Sequence, residues 1–142
     1  MTFMVTFKVD ANPVGKQRAR YAKRGNFVQT YTPDKTRNYE SLIKEAARKA
    51  MGSTELLETP VTVAIYITVK TSSSFSKKTR QEAINGLIKP TKKPDADNIA
   101  KCFLDAMNGV VYKDDSQVCT LHIKKVYGDI GMVEVMVQED LD

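Results

Sequence analysis

The sequence predicts an α+β fold: one small domain over residues 1–142, a mixed β-sheet with helices packed on it, and a C-terminal antiparallel hairpin. Three observations predict it. Strand-like stretches of alternating or β-branched residues stand near both ends and in the middle of the chain. Stretches with helical spacing lie between them. The length of 142 residues and a 42% hydrophobic fraction suit one core, and no repeat or long linker divides the chain.

The elements follow in order. "TFMVTFKV" (2–9) alternates and reads as a first strand. "DANPVGKQRARYAKRGN" (10–26) reads as a polar loop, punctuated by Pro13, Gly15 and Gly25. "FVQTY" (27–31) suits a short strand. A helix is expected over 32–52: Thr32 is placed to cap it, Pro33 suits the first helical position, and Asp34 complements the dipole. Its apolar stripe is Tyr39, Leu42, Ile43, Ala46, Ala47 and Ala50, and Gly52 ends it. "VTVAIYITVK" (61–70) is the clearest strand. Ser76 caps a short helix, "KKTRQEAIN", which Gly86 stops.

A further helix is predicted from Asp95 to Asn108, with Asp95 or Asp97 as its cap and Gly109 as its stop. Ile99, Cys102, Phe103, Ala106 and Val110 share one apolar face. "KDD" reads as a turn. "SQVCTLHIKKVYG" (116–128) and "MVEVMVQ" (132–138) alternate on either side of "GDIG", which predicts the hairpin. Cys102 and Cys119 each have an apolar neighbour and read as buried free thiols, which suits a reducing cytosol. No run reaches the length of a membrane span, and the N-terminal stretch lacks the pattern of a signal peptide.

The net charge is +5, with a pI near 9.2. That balance is unevenly spread. "GKQRARYAKR" carries Lys16, Arg18, Arg20, Lys23 and Arg24 with no acid among them. Such an arm suits contacts to a phosphate backbone, and Tyr21 and Phe27 beside it can stack on unpaired bases or pack on the first helix. The arm has no nucleotide-binding signature: "VGKQR" lacks the Gly-rich run and the Ser or Thr after Gly-Lys.

The acids gather instead in "KKPDADNIAKCFLDAMNGVVYKDDSQV", which holds Asp95, Asp97, Asp105, Asp114 and Asp115. Two carboxylates about 4 Å apart repel by about 4 kcal/mol at an effective dielectric near 20. Clustered carboxylates suit a hard divalent cation, which relieves that repulsion. Asp97, Lys101 and Asp105 recur at helical spacing on the more polar face. A structural account uses the same residues: Asp as a helix cap, Asp97–Lys101–Asp105 as i,i+4 pairs, and Asp-Asp in a turn. Spacing alone leaves both accounts open. His122, the one histidine, lies mid-strand and reads as structural rather than as a general base.

Read whole, the stretch resembles the signature of the RusA-type Holliday junction resolvases, which are small homodimeric, magnesium-dependent endonucleases of bacteria and their prophages. The family pattern is K-P-D-x-D-N, a lysine four residues after the second aspartate, a further aspartate, then D-D-x-Q-[VI]. Lys93, Pro94, Asp95, Asp97, Asn98, Lys101, Asp105, Asp114, Asp115, Gln117 and Val118 match it. "NPVGKQRAR" and "TYTPDKTRNYE" are similar to the family's N-terminal half, although Ala19 and Ala22 stand where a second proline is common.

The resemblance implies a structure-selective endodeoxyribonuclease that resolves four-way junctions by paired phosphodiester hydrolysis in DNA recombination and repair. It implies Asp95, Asp97 and Asp115 as metal-binding and catalytic acids, Lys101 as the catalytic lysine, and Asp114 as a supporting metal acid. Asp105 fits the pattern with a helix-pairing or supporting role. The implied cofactor is Mg2+, with Mn2+ as a substitute. Lys16, Arg18, Arg20, Lys23 and Arg24 are the implied DNA contacts. The expected partners are branched DNA and a second copy of the chain, with no membrane and no nucleotide cofactor, in a bacterial or phage-encoded cytoplasmic setting. Two alternatives stand beside this: a metal-dependent nuclease for other branched DNA or RNA, and a non-catalytic nucleic-acid-binding domain.

Overall fold

The computed structural model of the chain describes residues 3–17, 20–31 and 33–140. Its elements in chain order are β1 (Met4–Val9), β2 (Arg20–Arg24), β3 (Phe27–Tyr31), α1 (Asp34–Met51), β4 (Val61–Lys70), α2 (Lys77–Ile84), α3 (Ala96–Ala106), β5 (Val118–Gly128) and β6 (Met132–Glu139). A four-stranded mixed sheet in the order β1-β6-β4-β5 carries the helices, so the fold is α+β as expected.

β4 sits inside the sheet for a physical reason. Val61, Val63, Ile65 and Ile67 alternate along it and are all buried. With neighbours on both sides, both of its edges pair their backbone N–H and C=O groups. β5 runs parallel to it, with Ile65 opposite Ile123. β6 runs antiparallel, with Ile65 opposite Val135. This corrects the predicted hairpin: β5 and β6 are consecutive and opposite in direction, but β4 lies between them. The short connection crosses the end of β4, where the Thr71 N–H donates to the Gly128 carbonyl at 3.1 Å. Alternation identifies a strand but not its partner.

One face of the sheet is covered. Val5, Phe7, Val133, Val135 and Val137 join the β4 residues against Tyr39, Ile43 and Ala47 of α1 and Ile99, Phe103 and Ala106 of α3. Tyr39 and Phe103 meet edge to face, with centroids 5.7 Å apart, which ties α1 to α3. The buried stripe of α1 is Thr36, Tyr39, Ile43, Ala47 and Met51, so Leu42 and Ala50 of the expected stripe fall outside it and Ala46 is half-buried at its edge. The other sheet face is open and includes Ala64, Tyr66, His122, Lys124 and Met136. His122 is therefore exposed, on the face away from α3.

The ends of the helices show which local signals hold. Ser76 caps α2 by accepting from the Thr79 N–H at 3.1 Å. Pro33 occupies the N-cap of α1 rather than its first turn, with no side-chain cap, and Thr32 lies outside the described residues. Two expectations fail. Residues 20–24 form β2, which pairs with β3 in a separate two-stranded ribbon. Gly25, at φ +60°, turns that ribbon in a left-handed conformation open to glycine. "RYAKR" lacks apolar alternation because a ribbon outside the core has no apolar face to bury. Cys102 is buried, but Cys119 is exposed. Neighbours on a strand face opposite sides, so the apolar Val118 beside Cys119 does not signal burial. No helix among the described residues is long and apolar enough to cross a membrane.

Candidate active site

The site is built on α3, whose buried face of Ile99, Cys102, Phe103 and Ala106 fixes the helix against the core. Asp95 stands at its N-cap with extended backbone, yet its side chain accepts no capping hydrogen bond. An aspartate at that position ordinarily satisfies an N–H of the first turn. Here the carboxylate is left over, and it is exposed. Asp97 follows in the first turn and is also exposed, where the helix dipole favours its charge. Lys101, one turn further on, is exposed as well. Asp105 stands two turns beyond Asp97, about 12 Å along the axis at 1.5 Å per residue.

The segment before α3 is held from the sheet. Lys125 of β5 donates its ammonium to the carbonyls of Lys92 at 2.8 Å and Pro94 at 3.0 Å. The base of the basic arm is held from α3 and α1. The Lys16 N–H donates to the Asn98 carbonyl at 2.8 Å, and the Gln17 N–H donates to Thr36 Oγ1 at 3.2 Å. Gly15 permits this approach: a Cβ there would stand 3.1 Å from Pro94 Cβ and 3.3 Å from Asn98 Cβ. A crevice of about 500 Å³ results, lined by Lys16, Lys35, Lys93, Asp95 and Asn98 among others.

The second acidic stretch forms a short 3-10 turn, Asp115–Gln117, whose N-terminal end is closed by a capping box of its own side chains. Asp114 Oδ2 accepts from the Ser116 N–H at 3.0 Å, and Gln117 Oε1 accepts from the Asp114 N–H at 3.0 Å. Gln117 Nε2 donates to the carbonyls of Leu57 at 2.9 Å and Thr59 at 3.0 Å, pinning the turn to the segment that leads into β4. Within D-D-x-Q, then, Asp114 and Gln117 shape the turn and Asp115 is presented by it.

The electrostatics separate the two acids. The hydrogen bonds from Ser116 hold the Asp114 carboxyl below its ordinary range. Partial desolvation, then the charges of Asp114 and Asp105, push Asp115 above it. Burial raises the Tyr112 phenol, and Asp115, Asp105 and Asp114 add to the effect. Tyr112 is fully buried and donates to the Leu104 carbonyl at 2.8 Å, so it forms a floor under the acids. Asp105 does not pair with Lys101. Its Oδ2 stands 3.1 Å from the ammonium of Lys16, which also meets Glu40 Oε1 of α1 at 2.5 Å.

The profile of the endodeoxyribonuclease RusA family matches residues 10–138, from the loop before the basic arm to the last strand. The chain belongs to the RusA endodeoxyribonuclease family. It is also 36% identical, over 137 residues, to the uncharacterized protein YqaN of Bacillus subtilis strain 168, a match covering 95% of this chain and 96% of that one. RusA-family membership makes the chain an endodeoxyribonuclease of a family that acts on branched DNA junctions.

Within this RusA-family fold the expected site residues divide. Asp95, Asp97 and Lys101 lie along the first turns of α3, while Asp105, Asp114 and Asp115 gather near its other end. Among the described residues, no three His, Cys, Asp or Glu side chains converge into a group that could hold a metal ion. The donor set still fits magnesium. All of these ligands are hard oxygens, and Mg2+ is commonly bound by one or two carboxylates, with waters and substrate phosphates completing its shell. The mutual repulsion of Asp105, Asp114 and Asp115 is what a cation would relieve.

Of the expected DNA contacts, Lys23 is exposed on β2, and the side chain of Lys16 is engaged by two carboxylates. Arg18 lies outside the described residues, and for Arg20 and Arg24 only the backbone, in β2, is described. Glu40, Lys35 and Tyr112 were not singled out by sequence reasoning. Lys35 and Glu40 both lie in the family-like "TPDKTRNYE", but the stretch does not show that Glu40 meets Lys16, which happens because α1 packs on α3.

Proposed function

We propose that this RusA-family chain is a magnesium-dependent, structure-selective endonuclease that resolves four-way DNA junctions by paired nicks as a homodimer. The observation that carries the reading is the Asp95 carboxylate: it sits at an N-cap without serving as a cap, beside a crevice lined by Lys35 and Lys93. The capping explanation for this acid fails, and the lysines supply what a phosphodiester backbone requires.

Asp95 and Asp97 at one end of α3 and Asp115 at the other are the residues that would hold Mg2+, each end supplying one or two carboxylates, with Asp114 supporting through the turn it caps. Bound there, Mg2+ supplies a more acidic water and polarises the phosphoryl group, and Mn2+ can replace it. The chain's own groups do the rest. Lys35 and Lys93 hold backbone phosphates at the crevice. Lys101 is exposed between the two groups of acids and places a positive charge where negative charge develops on the phosphate. Tyr21 and Phe27 are 73% and 77% exposed on the β2–β3 ribbon, which supports stacking on unpaired bases over packing against α1. A two-fold dimer would present one such site to each of two symmetry-related strands.

The test compares a synthetic four-way junction, a flap and a linear duplex in Mg2+, in Mn2+ and in chelator. Paired nicks on the junction, dependent on metal, are expected. Equal cutting of the linear duplex would remove junction selectivity, and no cutting with any divalent metal would leave a binding domain.

A further inference from the structure

We propose that Lys16 is a positioning residue for the acids at the C-terminal end of α3, rather than one of the arm's contacts to the DNA backbone. This rests on the nuclease reading above and assigns that site a further residue. Four observations carry it. The Lys16 backbone is fixed by its N–H bond to the Asn98 carbonyl at 2.8 Å. Its ammonium stands 2.5 Å from Glu40 Oε1 and 3.1 Å from Asp105 Oδ2. The Lys16 and Glu40 side chains are only 26% and 17% exposed, so water screens this pair less than a surface pair. Asp105 in turn lies close enough to Asp115 for its charge to help hold that carboxyl above the ordinary range.

Carboxylates close together repel, and a counter-charge offsets that repulsion. Lys16 supplies it to Asp105, and Glu40 holds Lys16 in place from α1. Burial acts to lower the Lys16 pKa, but the hydrogen bonds and charges of Glu40 and Asp105 outweigh it and raise the value, so the ammonium stays charged. Ion pairs join Glu40, Lys16 and Asp105, from α1 through the base of the arm to the end of α3, and the charge of Asp105 acts from there on Asp115 in the D-D-x-Q turn. A DNA phosphate would have to compete with two carboxylates for this one ammonium. Lys23 of β2 is exposed and has no carboxylate at ion-pair distance among the described residues.

The experiment uses the full chain as wild type, Lys16→Met, Lys16→Arg, Asp105→Asn and the Lys16→Met/Asp105→Asn pair. Junction affinity and its salt dependence are measured in chelator, and the single-turnover cleavage rate is measured at saturating junction in Mg2+. For Lys16→Met the expected result is affinity within about twofold, an unchanged salt slope, and a rate lower by roughly tenfold to a hundredfold, the scale of a misplaced catalytic group. Lys16→Arg should recover most of the rate. The double variant should be no slower than Asp105→Asn alone. Weaker binding with a salt slope reduced by about one, at a normal saturated rate, would make Lys16 a phosphate contact and overturn the proposal. Independent, multiplicative losses in the double variant would overturn it too. If Lys16→Met does not fold, Glu40→Gln decides: a slower rate with unchanged binding supports the role, and an unchanged rate ends it. An inactive wild type would remove the nuclease reading, and this role with it.

Discussion

The two ends of α3 carry acids of opposite kind. At the N-terminal end, Asp95 and Asp97 are exposed, and Asp95 leaves the helix cap unmade. At the C-terminal end, Asp105 is tied to Lys16 and faces Asp115, over the buried Tyr112. One end is left open for something outside the chain, and the other is organised from within. A carboxylate that gives up an available structural bond is better evidence for function than one that merely sits among other acids.

The sharpest way to break this comparison is Asp97→Asn. Cleavage should fall by at least about a thousandfold, the scale of losing a charge essential to the transition state, while junction binding and thermal stability hold. Lost binding with an intact fold would instead place Asp97 at the DNA interface. Gln117→Ala tests the organised end. It removes one bond to the Asp114 N–H and two to the Leu57 and Thr59 carbonyls, and should cost about 1–3 kcal/mol in urea denaturation. Cleavage should drop through displaced Asp115, and an unchanged rate would show that the turn need not be held.

The smallest expected effect is electrostatic. The folded-state pKa of Asp115 lies above its ordinary value of 3.8. The metal-free fold is therefore penalised as pH rises through that window, and the penalty is complete at neutral pH. Asp115→Asn should raise metal-free stability at pH 7 by less than about 1 kcal/mol, because solvent screens the group. The gain should vanish below the ordinary carboxylate pKa. A loss of stability at pH 7 would mean that the charge is compensated in the fold.

Much of the fold was legible in local signals. The Ser76 cap, the strand pattern of β4 and the apolar face of α3 each rest on residues a few positions apart. What failed has a common cause. β2 sits in a ribbon with no core to bury against, so it shows no apolar period. Cys119 and the β5–β6 hairpin were inferred from adjacency in sequence, but a strand's neighbours face opposite sides and its partner is chosen by the whole sheet.

The site divides the same way. By itself the sequence determined the residue types, their helical spacing, the D-D-x-Q pattern and, through these, the family. Those properties reside in contiguous stretches, where steric periodicity and chemistry are read directly. Only the tertiary structure decided that Asp105 meets Lys16 and Asp115 instead of Lys101, that Glu40 joins them, and that Asp95 caps nothing. Those outcomes depend on α1, α3 and the base of the arm closing against each other. Side chains far apart in sequence then compete for the same partners, and burial decides which pairing wins.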